Sequence, residues 1–318
     1  MTPFDETPPS PDPQFPQEPR ASDPALETPS SPPEFTSTPV PPLDNPPQLP
    51  PDEFPVPSHP RRVYPPDLQI SWSWGHLIVF LLFIFMSLIT VQTVFLAAYA
   101  PHQKMTAPQL EDYILSKPEV AIGSTILIYA LLLFFLYVTL ALLRGQPFWI
   151  TLGWRKILPK NNGQPRHPLI FFFAGCAVSL LVFAITAVMK TPENTPIEQV
   201  FKFKQTAVLF IATAVLIAPL AEETIFRGYL YPMFARWFGV FPSIIVTGFL
   251  FGLMHGPQLG GAKSLIAVMS LVGIIFTAVR ARTGSVFASY LMHLGYNSLI
   301  GVSLLLATHG FTQVPSNH

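Results

Sequence analysis

The sequence predicts an all-α, polytopic membrane helix bundle of about seven spans, with a disordered proline-rich tail at its N-terminus. Three observations predict it. The chain of 318 residues is 50% hydrophobic and 11% charged, against roughly 25% charged residues in an ordinary soluble protein. Its apolar residues are gathered into runs long enough to cross a bilayer. Its charges are segregated: eleven of the 18 acidic residues fall in residues 1–67, beside three basic ones, Arg20, Arg61 and Arg62. The zero net charge therefore hides an acidic tail on a basic, apolar body. The lipid bilayer, not nucleic acid, is the expected partner of such a body.

Residues 1–67 hold 23 of the 37 prolines, interspersed with Ser, Thr, Asp and Glu. Proline removes backbone donors, and the sparse apolar residues cannot bury enough area to offset ordering. The tail is expected to be disordered, with local polyproline II character. It lacks the basic-then-apolar start of a secretory signal peptide. A plain solvated linker is favoured over an SH3-like partner site, and a partner for the tail is unknown.

The first span is expected from Trp74 to Ala98, with Trp72 and Trp74 at its interfacial edge. Residues 101–119 are polar and mildly amphipathic, and belong at the surface. The second span covers Val120 to Leu143 and the third Leu169 to Met189. The fourth runs from Thr206 to Phe226, and Arg227 to Trp237 continues it as an amphipathic end. Gly239 and Pro242 punctuate the next turn. The fifth (Pro242–His255) and sixth (Leu265–Val279) are shorter than the ~20 residues a lone spanning helix needs. The seventh is Val286 to Ala307. In domain terms the chain is expected to divide into a tail (1–67), N-terminal spans (68–205), a C-terminal helical core (206–307) and a short polar C-terminus (308–318). Cys176, the single cysteine, lies in an apolar run and reads as a small core residue.

Basic residues orient the bundle. Arg61 and Arg62 precede the first span, and Arg144, Arg155, Lys156, Lys160 and Arg166 follow the second. Arg236 follows the fourth, and Arg280 and Arg282 follow the sixth. Alternating spans place all of these on one side, which the positive-inside rule makes cytoplasmic. A multi-pass protein of the cytoplasmic membrane with a cytosolic tail is expected. Lys190, Lys202 and Lys204 are exceptions on the opposite side.

Chemistry concentrates in the stretch Pro219-Leu-Ala-Glu-Glu-Thr-Ile-Phe-Arg-Gly228. Thr206 to Leu220 contains no charge, and beyond Glu119 the chain has only four acidic residues: Glu193, Glu198, Glu222 and Glu223. Ionised groups at such depth cost at least ~2.5–3.5 kcal/mol each on insertion scales and face a cavity or a partner. Glu223 and Arg227 are one helical turn apart, in ion-pair register. Glu222 points about 100° away around the helix. One carboxylate can thus be neutralised structurally while the other stays free for chemistry.

Two further polar signals occupy late spans. Phe251-Gly-Leu-Met-His255 closes the fifth, and His293-Leu-Gly-Tyr-Asn297 places His293 and Asn297 on one face of the seventh. Glu222 can take a proton from water as general base. Histidine and asparagine can donate to a developing oxyanion. Alternatively, Glu222, His255 and His293 could hold a zinc ion that acidifies the water. Each residue also has a bland reading: an interfacial or capping His255, an Asn297 bonded to another helix, a structural Glu223–Arg227 salt bridge. His76, His102, His167, His309 and His318 lie at span edges, in loops or at the terminus and read as solvated. The joint occurrence in three late spans favours the functional reading.

That joint pattern, Glu-Glu-x-x-x-Arg, then Phe-x-x-x-His, then His-x-x-x-Asn, resembles the CPBP family of intramembrane endopeptidases (CAAX proteases and bacteriocin-processing enzymes, also called the Abi family). The resemblance covers about residues 206–303, and Leu152-Gly-Trp-Arg155 is a weaker family-like feature. It implies a membrane-embedded peptidase acting on a membrane-embedded or membrane-attached protein or peptide. It also implies Glu222 as base with His255, His293 and Asn297 as second histidine and oxyanion amide, and Glu223 and Arg227 in support. A CAAX-type or peptide-precursor substrate belongs to what the resemblance implies. No His-Glu-x-x-His motif is present, so metal-free and metal-dependent mechanisms both stay open. A non-hydrolytic membrane protein of the same fold, a proton-coupled carrier or partner-binding scaffold, is the alternative. Carriers of this kind often show internal repeats, and this chain shows none.

Overall fold

In the computed structural model, residues 65–101, 104–157, 159, 166–189 and 195–311 are described. The expected disordered tail therefore lies outside the described residues up to position 64, as do Lys160, Lys190, Glu193, His102 and His318. The described part is helical throughout. Six helices in it are long and apolar enough to cross a membrane, and a shorter apolar helix, Val240–Met254, joins them.

Helix α1 (Trp74–Ala98) carries no charged residue over 25 positions. Helix α2 (Ala107–Leu115) lies between spans and starts at a capping box, Thr106 with Gln109. The second span, Pro118–Leu142, consists chiefly of α3 (Gly123–Leu136) and a π-helical continuation, Tyr137–Leu142. Helix α4 (Leu169–Val188) is the third span. The spans expose much of their apolar surface, for example Leu82, Phe85 and Phe173 at 60%, 60% and 64%. In water that surface would be a liability, whereas lipid covers it.

The fourth span, Lys204–Phe238, is one 35-residue rod with built-in irregularities. Helix α5 (Lys204–Leu216) stops before Pro219, which has no N–H to continue the ladder. Helix α6 (Ala218–Glu223) restarts it, a π-helical segment Thr224–Leu230 follows, and α7 (Tyr231–Phe238) finishes it. All residues from Ala221 to Ala235 are buried, so this rod is the axis of the bundle. Single π turns are frequent at functional sites, and this one sits within the Glu-Glu…Arg-Gly stretch.

Helices α8 (Val240–Met254), α9 (Lys263–Thr283) and α10 (Val286–Ala307) complete the bundle. Close packing is bought with glycine. A Cβ on Gly175 of α4 would come within 1.8 Å of the Met292 carbonyl of α10, and one on Gly295 within 2.0 Å of the Phe172 carbonyl. Gly248 and Gly252 of α8 let α9 approach in the same way. The sixth span is longer than its expected Leu265–Val279: it covers 21 residues, because Ala262 and Gly284 end it at polar loops beyond the apolar stretch.

Four sequence expectations are corrected here. Asp67 does not end a free tail. It follows Pro66 in a short 3₁₀ turn, and its carboxylate and carbonyl both accept from Arg280, at 3.1 Å each. Arg280 is fully buried by this contact and by the Tyr231 ring, so it is not a surface charge. His76 is not solvated. Thr139 Oγ1 donates to the Phe135 carbonyl, so it accepts from His76 Nε2–H at 2.9 Å, and Tyr229 O–H donates to Nδ1 at 2.6 Å. The C-terminal segment is not simply polar: Thr308 and Phe311 are buried, and Phe311 stacks on Phe201.

The basic residues do gather at one end. Arg144 donates to the Ser71 carbonyl, Arg236 to that of Ile70, and Arg166 to that of Arg282. On the opposite side Lys202 pairs with Asp112 at 3.7 Å.

Candidate active site

The central rod delivers the two carboxylates to different surroundings. Glu223 is wholly buried. Its Oε1 accepts from Arg227 Nη1 at 2.8 Å and from His293 Nδ1 at 3.0 Å. Each guanidinium nitrogen of Arg227 has a partner: it also donates to Thr277 Oγ1 and the Gly273 carbonyl, and its guanidinium lies 4.5 Å from the centre of the Phe251 ring. The structural salt bridge expected from the i, i+4 spacing is therefore present as geometry, and it reaches one residue further, to the histidine of α10.

Glu222 faces the other way, into a cavity of about 620 Å³. Tyr129 of α3 donates its hydroxyl to Glu222 Oε1 at 2.6 Å. The second oxygen, Oε2, has no hydrogen-bond partner among the described residues and stands 3.9 Å from His293 Nε2. His255, His293, Asn297 and Tyr129 line the same cavity. The four residues proposed from sequence are thus collected around one space, and Glu223 and Arg227 lie behind it.

Tautomers follow from the partners. A carboxylate oxygen only accepts, so His293 carries its proton on Nδ1 toward Glu223 and presents Nε2 to the cavity side. His255 stands at the end of α8, where Nδ1–H donates to the Phe251 carbonyl at 2.7 Å, which again leaves Nε2 available. Asn297 Nδ2 donates to the Ala214 carbonyl of α5 at 2.7 Å. One of its two N–H groups ties helices together, and the other is left over.

Sequence reasoning missed Tyr129. Thr125 and Tyr129 are an i, i+4 polar pair in a largely apolar span, a weak signal that was available. It also left Leu152–Arg155 without a role. Leu152 is fully buried, its carbonyl packs against Gly228, and Trp154 Nε1 donates to Thr224 Oγ1 at 3.1 Å. This loop props the π-helical segment and also contacts the start of α10 through Trp154 and Tyr290.

Zinc fits this arrangement poorly. Among the described residues no three His, Cys, Asp or Glu side chains are grouped so that they could hold a metal ion. Glu222 Oε2 and His293 Nε2 stand 3.9 Å apart in the cavity, and among the described residues no third such side chain is grouped with them.

A buried carboxylate with one oxygen unpartnered among the described residues thus stands beside two imidazoles and an amide inside a helix bundle long and apolar enough to cross a membrane. Residues 204–299 match the family model described as type II CAAX prenyl endopeptidase Rce1-like. That segment contains all three motifs, and the match supports an assignment to the CPBP family of CAAX-type proteases. The chain is also similar to an uncharacterized 24.3 kDa protein of Escherichia coli, 28% identical over 177 residues, covering 52% of this chain and 78% of that protein. No solved structure matches.

Proposed function

We propose that this membrane protease hydrolyses a peptide bond in a membrane-attached or membrane-embedded protein or peptide, with Glu222 as general base for the attacking water. One observation carries the reading: Glu222, His255, His293 and Asn297, from three separate helical segments, line one cavity. Glu222 takes a proton from the water and returns it to the leaving nitrogen. His255 Nε2, a lone pair once Nδ1–H is given to Phe251, orients the water. Asn297 through its second N–H, and His293 through Nε2 when that nitrogen carries a proton, donate to the oxyanion. Glu223 holds the His293 ring, and Arg227 balances Glu223. No step passes through a metal.

The substrate enters a cavity whose walls are mostly aliphatic and aromatic, with Gln92, Thr125 and Gln258 among its few uncharged polar groups. An apolar, lipid-bearing C-terminus of the CAAX type suits such walls, as does an apolar peptide precursor. The protein is placed in the cytoplasmic membrane with the basic end of the bundle and the tail in the cytosol. The test is proteolysis by the purified full chain in liposomes, using a lipid-anchored peptide with a fluorophore and quencher across the scissile bond. Cleavage is expected, and its loss in folded Glu222→Gln. Near-normal turnover in Glu222→Gln would remove the assigned base, and no cleavage of any membrane-attached peptide would favour a non-hydrolytic role.

A further inference from the structure

We infer that Tyr129 is the positioning residue of the general base, so that the site is completed by the N-terminal half of the chain, outside the segment that carries the family match. The inference rests on the assignment of Glu222 as base.

The two neighbouring carboxylates are held in unequal ways. Glu223 is fixed from two sides, by Arg227 and by His293. Glu222 has a single hydrogen bond among the described residues, from the Tyr129 hydroxyl to Oε1 at 2.6 Å. That separation lies in the range of an O–H donor on an ionised carboxylate. A glutamate side chain turns about three bonds, and a base must present its oxygen within hydrogen-bond reach of the proton it abstracts. Tyr129 fixes Oε1 and so leaves Oε2 as the oxygen turned toward His293 Nε2, 3.9 Å away.

A purely structural reading is that a tyrosine inside an apolar span must find some acceptor. The acceptor here is, among the described residues, a buried carboxylate without an Arg or Lys partner: Arg227 pairs with Glu223, and Arg280 with Asp67. The hydroxyl therefore supplies the polar contact that keeps the Glu222 side chain in place inside the bundle. Tyr129 is not assigned contact with the substrate's reacting atoms.

The two readings part in kinetics. Wild type, Tyr129→Phe, Glu222→Gln and the double variant are purified as full chains in liposomes and assayed on the lipid-anchored peptide, with thermal unfolding measured on each. Phenylalanine keeps the ring and removes only the hydroxyl. Tyr129→Phe is expected to lower kcat by about 10- to 100-fold, the scale of one hydrogen bond to a charged group, with KM unchanged. Adding it to Glu222→Gln is expected to change nothing further. An unchanged kcat in Tyr129→Phe, with Glu222→Gln inactive, overturns the inference and leaves the base assignment standing. A rise in KM at constant kcat, or loss of activity only in step with loss of folded protein, overturns it as well. Full turnover in Glu222→Gln overturns both.

Discussion

His293 Nδ1 lies 3.0 Å from Glu223 Oε1, the same oxygen that accepts from Arg227. One buried carboxylate oxygen thus fixes a cation on its own helix and a histidine ring on α10. Glu223 ties the fold to the site. Glu223→Gln leaves Arg227 without its counter-charge in a fully buried position and weakens the hold on His293. Breaking such a pair costs roughly 3–5 kcal/mol. The expected outcome is low yield of folded protein, with a marked fall in the unfolding temperature in detergent. A Glu223→Gln protein as stable as wild type would show that Arg227 is satisfied without it.

Gly228 stands in the π-helical segment, where the Leu152 carbonyl approaches it closely. A Cβ there would come within 2.7 Å of that backbone oxygen. Backbone cannot step aside as a flexible side chain does, so Gly228→Ala must shift either the loop or the π turn. Destabilisation of about 1–3 kcal/mol is expected, together with reduced turnover, because Glu222 and Glu223 sit immediately before the turn. Gly145→Ala is the control for glycine loss as such: nothing lies within 4 Å of a Cβ there, although its positive φ adds some strain. Equal activity in Gly228→Ala and wild type would show that the turn tolerates the displacement.

Much of the fold was legible because bilayer crossing imposes a length and a composition that single residues cannot disguise. α1 and α10 have the bounds that the apolar runs predict. The motif residues were legible because charge is rare at depth, so Glu222, Glu223 and Arg227 stand out against their surroundings. Tyr129 was not, since a lone tyrosine is amphipathic and common in spans, and its partner is 93 positions away. Arg280 was misplaced for a related reason. A cation at a span end looks like a topology signal, and only the fold brings Asp67 to it. The π-helical segment left no trace in periodicity, and its contacts with Leu152 and Trp154 come from about 70 positions away in the chain.

The orientation of the bundle is open to a direct test. Arg144 and Arg236 contact Ser71 and Ile70 at the entry to α1, and Arg166 contacts Arg282 at the end of α9. If the entry to α1 is cytosolic, protease added to inside-out vesicles removes the N-terminal tail and leaves the bundle intact. Protection of the tail there, with cleavage in right-side-out cells, would reverse the assignment.

Metal dependence has a clear expectation from donor placement. No three His, Cys, Asp or Glu side chains are grouped as metal ligands among the described residues, and His293 Nδ1 is already given to Glu223. Purified protein is expected to keep its turnover after chelator treatment and dialysis. Stoichiometric zinc by elemental analysis, with activity lost on chelation and restored by zinc, would show that the site rearranges around a metal.

Asn297 separates a helix tie from a catalytic donor within one side chain. Its Nδ2 donates one N–H to the Ala214 carbonyl at 2.7 Å, and the second N–H is assigned to the oxyanion. Removing the tie should cost about 1 kcal/mol of stability, the net value of an ordinary hydrogen bond. Removing an oxyanion donor typically costs on the order of 10²–10³ in turnover. The two effects have different readouts, unfolding and kcat, so they can be measured apart. Asn297→Ala is expected to lower kcat by about two to three orders of magnitude, while KM stays near wild type, because the donor acts on charge that develops only in the transition state. A modest loss of stability with full turnover would leave Asn297 as a tie between α5 and α10 and would place the oxyanion's stabilisation on His293 alone.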